Sequence, residues 1–295
     1  MTILVTGSRG FVGSETVKLL EKEGHEVIHY DIMDGFDVRN DEHLEDVCIR
    51  EDVDRILHLA AIARFSEADA NPKRAHSTNV LGTRAVACVA EGLGIPVVYA
   101  STGSVYMPIH QEPPITEEFA ACGNSVYGCT KYLGETYIRD IEAPWIILRY
   151  AHLYGKEKRM HGLIGGFMDR INRGLAPTLY GGKQSNDFTY VLDVAKANAL
   201  ALTAPWDKWN QVYNIGTGEE LTAEQAGKLI CEAAGFSGEV EIKEQRTVDP
   251  GRFVYDCSKA ERMLGFKAEY DFATGLRHMF SSEAGHTKEV QDGQS

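Results

Sequence analysis

The chain has 295 residues, of which 43% are hydrophobic, and it carries a net charge of −13 at pH 7. This length and composition suffice for a full core, which excludes a disordered chain and predicts two domains or one large domain at roughly 150 residues per domain. The acidic balance repels a phosphate backbone, which excludes nucleic acid and anionic membranes as main partners.

The cysteines and the apolar segments indicate the compartment. The 6 cysteines form no CxxC pair and lie far apart, so we expect reduced thiols, no disulfide framework and no metal site. The start of the chain lacks a signal-peptide pattern, and no apolar stretch reaches the roughly 18 residues of a membrane helix. The sequence therefore predicts a soluble, cytoplasmic protein.

The first half of the chain alternates short β-branched runs with segments of helical period, the pattern of βαβ units on a parallel sheet. The predicted strands are 2–6, 26–30, 55–59, 96–100 and 145–149. The predicted helices between them are 11–23, 41–50, 71–92 and 125–141. This order predicts a doubly wound α/β fold.

The second half is less regular and predicts a smaller α+β lobe interleaved with the first domain. Its predicted elements are helices 163–173, 193–203 and 222–234 and strands 188–191 and 211–215. We assign 1–155 to the first domain, to which 187–215 returns, and 156–186 with 216–280 to the smaller lobe. The polar stretch 281–295 is predicted to be a flexible tail.

The chain has 29 glycines, and three of them, Gly7, Gly10 and Gly13, form a GxxGxxG loop between the first strand and the first helix. Such a loop lets the backbone approach a pyrophosphate at a helix N-terminus. Asp31, at the end of the second strand, can bind ribose hydroxyls and repel a 2′-phosphate, which favours NAD over NADP. Arg9 weakens this preference because a guanidinium binds a 2′-phosphate. The alternative is a tight glycine turn beside a solvated carboxylate.

Tyr127 and Lys131 form a YxxxK pair, which places both side chains on one helix face. A neighbouring cation lowers a tyrosine pKa from about 10 toward neutrality, as a general base requires. The alternative is an exposed pair on an amphipathic helix. Ser101 and Thr102 favour the catalytic interpretation, because hydroxyls at the carboxyl end of a parallel strand lie where such sheets bind ligands.

Together with these motifs, the sequences HLAA (58–61), NVLGT (79–83), STGSVY (101–106), LRYAHLYG (148–155), YNIGTG (213–218) and DCSKAERMLGF (256–266) resemble one family. The chain is similar, over about residues 1–280, to the extended short-chain dehydrogenase/reductase family in its nucleotide-sugar epimerase/dehydratase branch. The resemblance implies a Rossmann-type doubly wound sheet with a smaller substrate lobe, and NAD as the cofactor.

The resemblance also implies roles for individual residues. Thr102 would hydrogen-bond the substrate oxygen, Tyr127 would be the base, and Lys131 would support Tyr127 and hold the nicotinamide ribose. Asp37 and Val38 would contact the adenine. The remaining cofactor-binding residues it implies are Gly7, Arg9, Gly10, Phe11, Val12, Gly13, Asp31, Leu59, Ala60, Ala61 and Asn79. For Asn79 the alternative is a buried amide that is bonded to the backbone.

The predicted substrate-binding residues are Thr102, Gly103, Ser104, His152, Asn186 and Arg252. Dehydratase members carry Asp and Glu where this chain has Gly103 and Ser104, which argues against dehydration. His152 and Asn186 replace the Asn and Arg that family members use near the diphosphate, so the nucleotide stays open. A packed histidine is the alternative at position 152. Arg252 resembles a phosphate-binding arginine of the family.

These features lead to the hypothesis of an NAD-dependent epimerase that inverts C4 of a UDP-hexose through a 4-keto intermediate. A nucleotide-sugar reductase or dehydrogenase with exchangeable cofactor is the first alternative, and a nonenzymatic NAD-sensing module is the second. The resemblance further implies a homodimer formed by helices 71–92 and 125–141. Their apolar residues Val86, Val89, Tyr132 and Leu133 could equally pack inside one subunit.

Overall fold

The structure is a computed structural model, and it describes residues 1–106, 112–119, 121–123, 125–156, 162–244 and 251–281. Of the predicted tail, residues 282–295 lie outside this part. Within the described ranges, no helix is both long and apolar enough to cross a membrane.

A six-stranded parallel sheet forms the centre of the molecule. Its strands are β1 (Thr2–Thr6), β2 (Glu26–Tyr30), β3 (Arg55–His58), β4 (Val97–Thr102), β5 (Trp145–Tyr150) and β10 (Gln211–Ile215). Their order across the sheet is β10-β5-β4-β3-β1-β2. Strand β2 lies on one side of β1, and β3, β4, β5 and β10 follow one another on the other side. The strand order therefore reverses beside β1. The predicted doubly wound fold is confirmed.

Helices cover both faces of this sheet. They are α1 (Phe11–Lys22), α2 (Asp41–Arg50), α3 (Phe65–Ala70), α4 (Pro72–His76), α5 (Gly82–Leu93), α6 (Val126–Asp140) and α8 (Val191–Leu202). Alternate residues of β1 point to opposite faces of the sheet. Ile3 and Val5 pack in the apolar cluster that contains α1 and α8, whereas Leu4 packs in the cluster that contains α2 and α5. Burial on both faces explains why the strands read as continuous apolar runs.

The predicted helix 71–92 is present as an unbroken run of helical residues from Pro72 to Leu93, with one irregularity that was not predicted. A wider π-helical turn at Ser77–Leu81 separates α4 from α5. The side chain of Asn79, in this turn, donates to the Ile62 carbonyl oxygen (3.1 Å) and accepts from the Ile62 backbone N–H (2.7 Å). Single π turns inside helices frequently mark functional sites, and this one faces helix α6 through a bond from Asn79 to Thr130 (2.9 Å).

The remaining elements form three small sheets and a separate apolar cluster. The strands are β6 (His152–Tyr154), β7 (Thr178–Tyr180), β8 (Ser185–Asn186), β9 (Phe188–Tyr190), β11 (Leu221–Thr222), β12 (Glu241–Lys243) and β13 (Arg252–Phe253). The helices are α7 (Gly162–Asn172), α9 (Ala223–Ala233), α10 (Ser258–Leu264) and α11 (Phe272–Ser281). A cavity of about 720 Å³ between α7, β7 and α9 is lined by none of the predicted site residues. The proposed domain boundaries stay a prediction.

Candidate active site

The glycine loop fits a pyrophosphate. Gly7 has a φ of +69°, and a Cβ on Gly13 would lie 2.2 Å from the Gly7 carbonyl oxygen, so both positions require glycine. Helix α1 starts at Gly10 with no side-chain cap and no acidic residue in its first turn, which leaves its N–H groups available to an anion. In the same loop the Ser8 hydroxyl is buried without a hydrogen-bond partner.

We expect Gly13→Ala to weaken NAD binding by about tenfold, because relieving such an overlap with backbone costs roughly 1–3 kcal/mol. The added Cβ would also lie 2.9 Å from the Ser8 backbone. Gly92→Ala, in α5, is the matched control because a Cβ there meets nothing within 4 Å. Calorimetric titration with NAD and thermal unfolding measure both variants. Equal NAD affinity of Gly13→Ala and the wild type would contradict this account of the loop.

The acidic residues predicted at the adenosine lie beyond the loop. Asp31 is 7% exposed and accepts from the backbone N–H groups of Arg9 (3.0 Å) and Met33 (2.9 Å). A carboxylate has about four acceptor sites, so two remain for ribose hydroxyls. The Arg9 guanidinium pairs with Asp34 instead (2.6 Å), which offsets the charge that a 2′-phosphate would need. Asp37 is held by Arg39, whose guanidinium lowers the pKa of that carboxyl.

The buried hydroxyl of Thr6 holds the backbone of Leu59 and Ala60, two residues that are predicted to bind the cofactor. The Thr6 hydroxyl accepts from the backbone N–H groups of Leu59 and Ala60, both at 3.1 Å. These two bonds occupy both lone pairs of the hydroxyl oxygen. In its third bond, to His58 Nδ1 (2.7 Å), the hydroxyl therefore donates its proton to the imidazole. His58 Nε2 then carries the ring proton and donates to Thr83 (3.0 Å). This network was not predicted from the sequence, although HLAA was recognised as a motif.

Other predicted cofactor residues line the same region. Phe11, Val12 and Ala61 are half-buried, and Gly10 is exposed at the loop. Val38 is buried against Gly82, where a Cβ would lie 2.6 Å from the Val38 Cγ1 atom. These positions are compatible with the predicted roles, which stay predictions.

The structure brings the predicted catalytic residues together. Thr102 ends β4, and its hydroxyl lies close enough to the Tyr127 phenol to lower the pKa of that phenol. Tyr127 lies in the first turn of α6, where the Ser125 side chain caps the helix by accepting from the Gly128 N–H. Lys131 is 2% exposed, and its ammonium lies 4.1 Å from the centre of the Tyr99 ring. The alternative of an exposed pair on an amphipathic helix is therefore wrong.

The sequence predicts that the pKa of Tyr127 is lowered, and for the protein without cofactor this prediction is wrong. Burial raises the pKa of Tyr127 to about 12, although the Thr102 hydroxyl opposes the shift. Burial also lowers the pKa of Lys131 to about 7, and the carboxylate of Glu135 opposes that shift. Desolvation disfavours the charged form of both groups and is the largest cause of each shift.

A buried ion pair behind Lys131 was missed from the sequence. Glu135 is fully buried one turn after Lys131, and Arg149 binds both of its carboxylate oxygens, at 2.9 and 2.7 Å. Ser101 donates to the same carboxylate (2.6 Å), which ties the end of β4 beside Thr102 to α6. The i, i+4 spacing from Lys131 to Glu135 was the available signal, because it places a carboxylate on the catalytic face of the helix.

The predicted substrate residues fall in two groups. Gly103 and Ser104 follow Thr102 directly, and the Ser104 N–H donates to the Thr102 hydroxyl (3.2 Å). The His152 imidazole contacts the Phe188 ring edge to face, and burial lowers the pKa of His152. The substrate role and the packed-histidine alternative both stay predictions. Asn186 lies in β8, directly opposite Phe253 of β13.

Arg252 already has carboxylate partners. Its guanidinium forms a two-pronged ion pair with Glu220 at 2.7 and 2.8 Å, and it approaches Glu112 at 3.4 Å. The arginine lowers the pKa of Glu220 to about 2. A phosphate at this arginine would therefore have to compete with Glu220.

Comparison with known proteins agrees with this arrangement. The sequence model of the NAD dependent epimerase/dehydratase family matches residues 3–216. A putative UDP-glucose 4-epimerase of Methanocaldococcus jannaschii is 33% identical over 94% of this chain and 96% of its own. The crystal structure of a Thermotoga maritima UDP-glucose 4-epimerase with UDP-glucose superposes with a TM-score of 0.88 at 28% identity, covering 97% of this chain and 100% of that one. A Thermus thermophilus UDP-glucose 4-epimerase in complex with NAD gives 0.82 at 28% identity, covering 97% and 99%.

The chain belongs to the NAD dependent epimerase/dehydratase family. The resemblance drawn from the motifs is thereby confirmed, and so is NAD as the cofactor of the family. The chain is an enzyme of this family.

Proposed function

We propose that this protein is an NAD-dependent epimerase that inverts C4 of a UDP-hexose. The observation that carries the proposal is the assembly of Thr102, Tyr127 and Lys131 at the carboxyl edge of the sheet, beside a glycine loop suited to a dinucleotide. The sugar substrate is supported by relatives and structural neighbours described as UDP-glucose 4-epimerases.

In this proposal Tyr127 takes the proton of the C4 hydroxyl, and Thr102 holds that oxygen. NAD supplies the chemistry of accepting the C4 hydrogen as hydride and returning it. Lys131 stabilises the Tyr127 phenolate and holds the nicotinamide ribose. The keto sugar then rotates so that its other face meets the nicotinamide. Tyr127 returns the proton to the oxygen, so the reaction is redox-neutral and leaves no net change in the cofactor.

The residues after Thr102 favour epimerisation over dehydration. Gly103 and Ser104 have no carboxylate, and removal of water from a sugar requires an acid and a base beside the carbon that loses the hydroxyl. We place the diphosphate near His152, Asn186 and Arg252. Because Arg252 already pairs with Glu220, a phosphate there would displace that carboxylate.

The reaction itself is tested by incubating the purified protein with UDP-glucose or UDP-galactose and separating the products by chromatography. We expect interconversion without added NAD and without accumulation of NADH absorbance. A stoichiometric change in NADH would favour the reductase or dehydrogenase alternative. NAD binding without turnover of UDP-, GDP- or dTDP-sugars would favour the nonenzymatic module.

We also propose a homodimer in which α5 and α6 meet their counterparts. Val86 and Val89 are buried inside the subunit, but Leu133 on α6 is 42% exposed, and Leu81, in the turn that leads into α5, is 43% exposed. We expect Leu133→Glu to convert a dimer into a monomer of 32.6 kDa in light scattering. Leu175→Glu, which alters a leucine of equal exposure outside these helices, should leave the dimer intact. A monomeric wild-type protein would contradict this proposal.

A further inference from the structure

Tyr255 occupies the space of a side chain at position 103. A Cβ on Gly103 would lie 1.9 Å from the Tyr255 phenolic oxygen and 2.4 Å from its Cζ atom. Contacts this short do not occur between real atoms, so any residue other than glycine at 103 would have to displace the tyrosine. The end of the phenol therefore lies beside the backbone that directly follows Thr102.

The position of this phenol is fixed by its surroundings. Tyr255 is 5% exposed and belongs to an apolar cluster with Tyr106, Ala151 and Phe253. The segment is also held by main-chain bonds on either side of it, from Ile115 N–H to the Val254 carbonyl oxygen (2.8 Å) and from Asp256 N–H to the Ile115 carbonyl oxygen (2.9 Å). A side chain packed in this way keeps one orientation, which is the condition for selective recognition.

The groups beside the Tyr255 phenol indicate which part of the sugar it would contact. In the proposed function, Thr102 and Tyr127 both contact the oxygen on C4. A hydroxyl group next to Thr102 therefore lies near a substituent of an adjacent ring carbon. That substituent is either the C3 hydroxyl or the C6 hydroxyl carried by C5.

We propose that Tyr255 is a specificity residue, whose phenol hydrogen-bonds a sugar hydroxyl adjacent to C4 and whose ring prevents any side chain at position 103. This inference rests on the proposed function for the location of C4. It explains why Gly103 is required in this chain, and it assigns a sugar contact to a residue that lies far from the catalytic motifs in sequence.

The test compares Tyr255→Phe with the wild type on three substrates: UDP-glucose, UDP-xylose, which lacks C6, and UDP-3-deoxyglucose. We expect kcat/KM for UDP-glucose to fall about tenfold, in the range of one neutral hydrogen bond. For the analogue that lacks the contacted hydroxyl, the same substitution should change kcat/KM less than twofold. Equal effects on all three substrates, or none, would overturn the inference, because a purely structural role would not distinguish them.

A second variant and a second measurement keep the test independent of turnover. Gly103→Ala must displace the phenol and should reproduce the altered selectivity, whereas Gly92→Ala, in open space, should not. The Kd values of the three nucleotide sugars are expected to show the same pattern by calorimetry. If the wild type binds these sugars selectively through Tyr255 but does not epimerise them, the proposed function fails and the specificity role stands. If the wild type epimerises these sugars and the Tyr255→Phe pattern is absent, the specificity role fails and the proposed function stands.

Discussion

Tyr127→Phe is expected to lower kcat for interconversion of UDP-glucose and UDP-galactose by about 10²–10⁴, the usual contribution of a positioned general base. The substitution removes only the phenolic hydroxyl and leaves the ring, which packs edge to face on Phe65 with 5.4 Å between the ring centroids. The fold and the affinity for NAD should therefore be retained. Coupled enzymatic assay of UDP-glucose formation measures kcat, and circular dichroism checks the fold.

The matched control is Tyr137→Phe, which makes the same change on the same helix, α6, away from Thr102. It should leave kcat within about twofold of the wild type, because surface or half-buried substitutions away from a network are usually close to neutral. If Tyr127→Phe retained more than about a hundredth of the wild-type rate with native folding, base catalysis by Tyr127 would be the wrong account.

Glu135→Gln is expected to destabilise the protein by about 3–5 kcal/mol, the usual cost of removing one partner of a buried ion pair. Glu135 is fully buried and Arg149 is 2% exposed, so the guanidinium would lose its charge partner without access to water. The measurement is the free energy of unfolding in urea, taken from the midpoint and slope of the transition.

Two further variants identify the source of this effect. Arg139→Ala removes the exposed partner of Glu135, at 3.2 Å, and should cost less than about 1 kcal/mol. Glu135→Gln combined with Arg149→Met removes both buried charges and should recover part of the stability. A loss below about 1 kcal/mol for Glu135→Gln alone would contradict the importance of this pair.

The sheet and the catalytic helix were predictable because their signals are local. Strands β1, β2 and β10 begin and end at the predicted residues, since each is a β-branched run bounded by turn residues. The predicted helix 125–141 matches α6 within one residue at each end. Apart from β9, which was predicted at 188–191, the two- and three-residue strands were missed, because segments of that length are too short to show a period of 2.

Other features depend on contacts that the sequence order does not show. The π-helical turn at Ser77–Leu81 follows a sequence of helical period, and its width is supported by bonds from Asn79 to another segment. The contact between positions 103 and 255 could not be predicted, because only the folded chain brings these residues together. The pKa of Tyr127 was mispredicted because burial, which one sequence does not quantify, dominates it.

The central claim is that hydrogen leaves C4 and returns to the same carbon within one active site. It is tested most directly by incubating the wild-type protein with a mixture of UDP-[4-²H]glucose and UDP-[¹³C₆]glucose and analysing the UDP-galactose by mass spectrometry. The account predicts deuterium retained at C4 of the unlabelled-carbon product, with none in the ¹³C product. Loss of deuterium to solvent, transfer to the ¹³C sugar, or absence of UDP-galactose would contradict it.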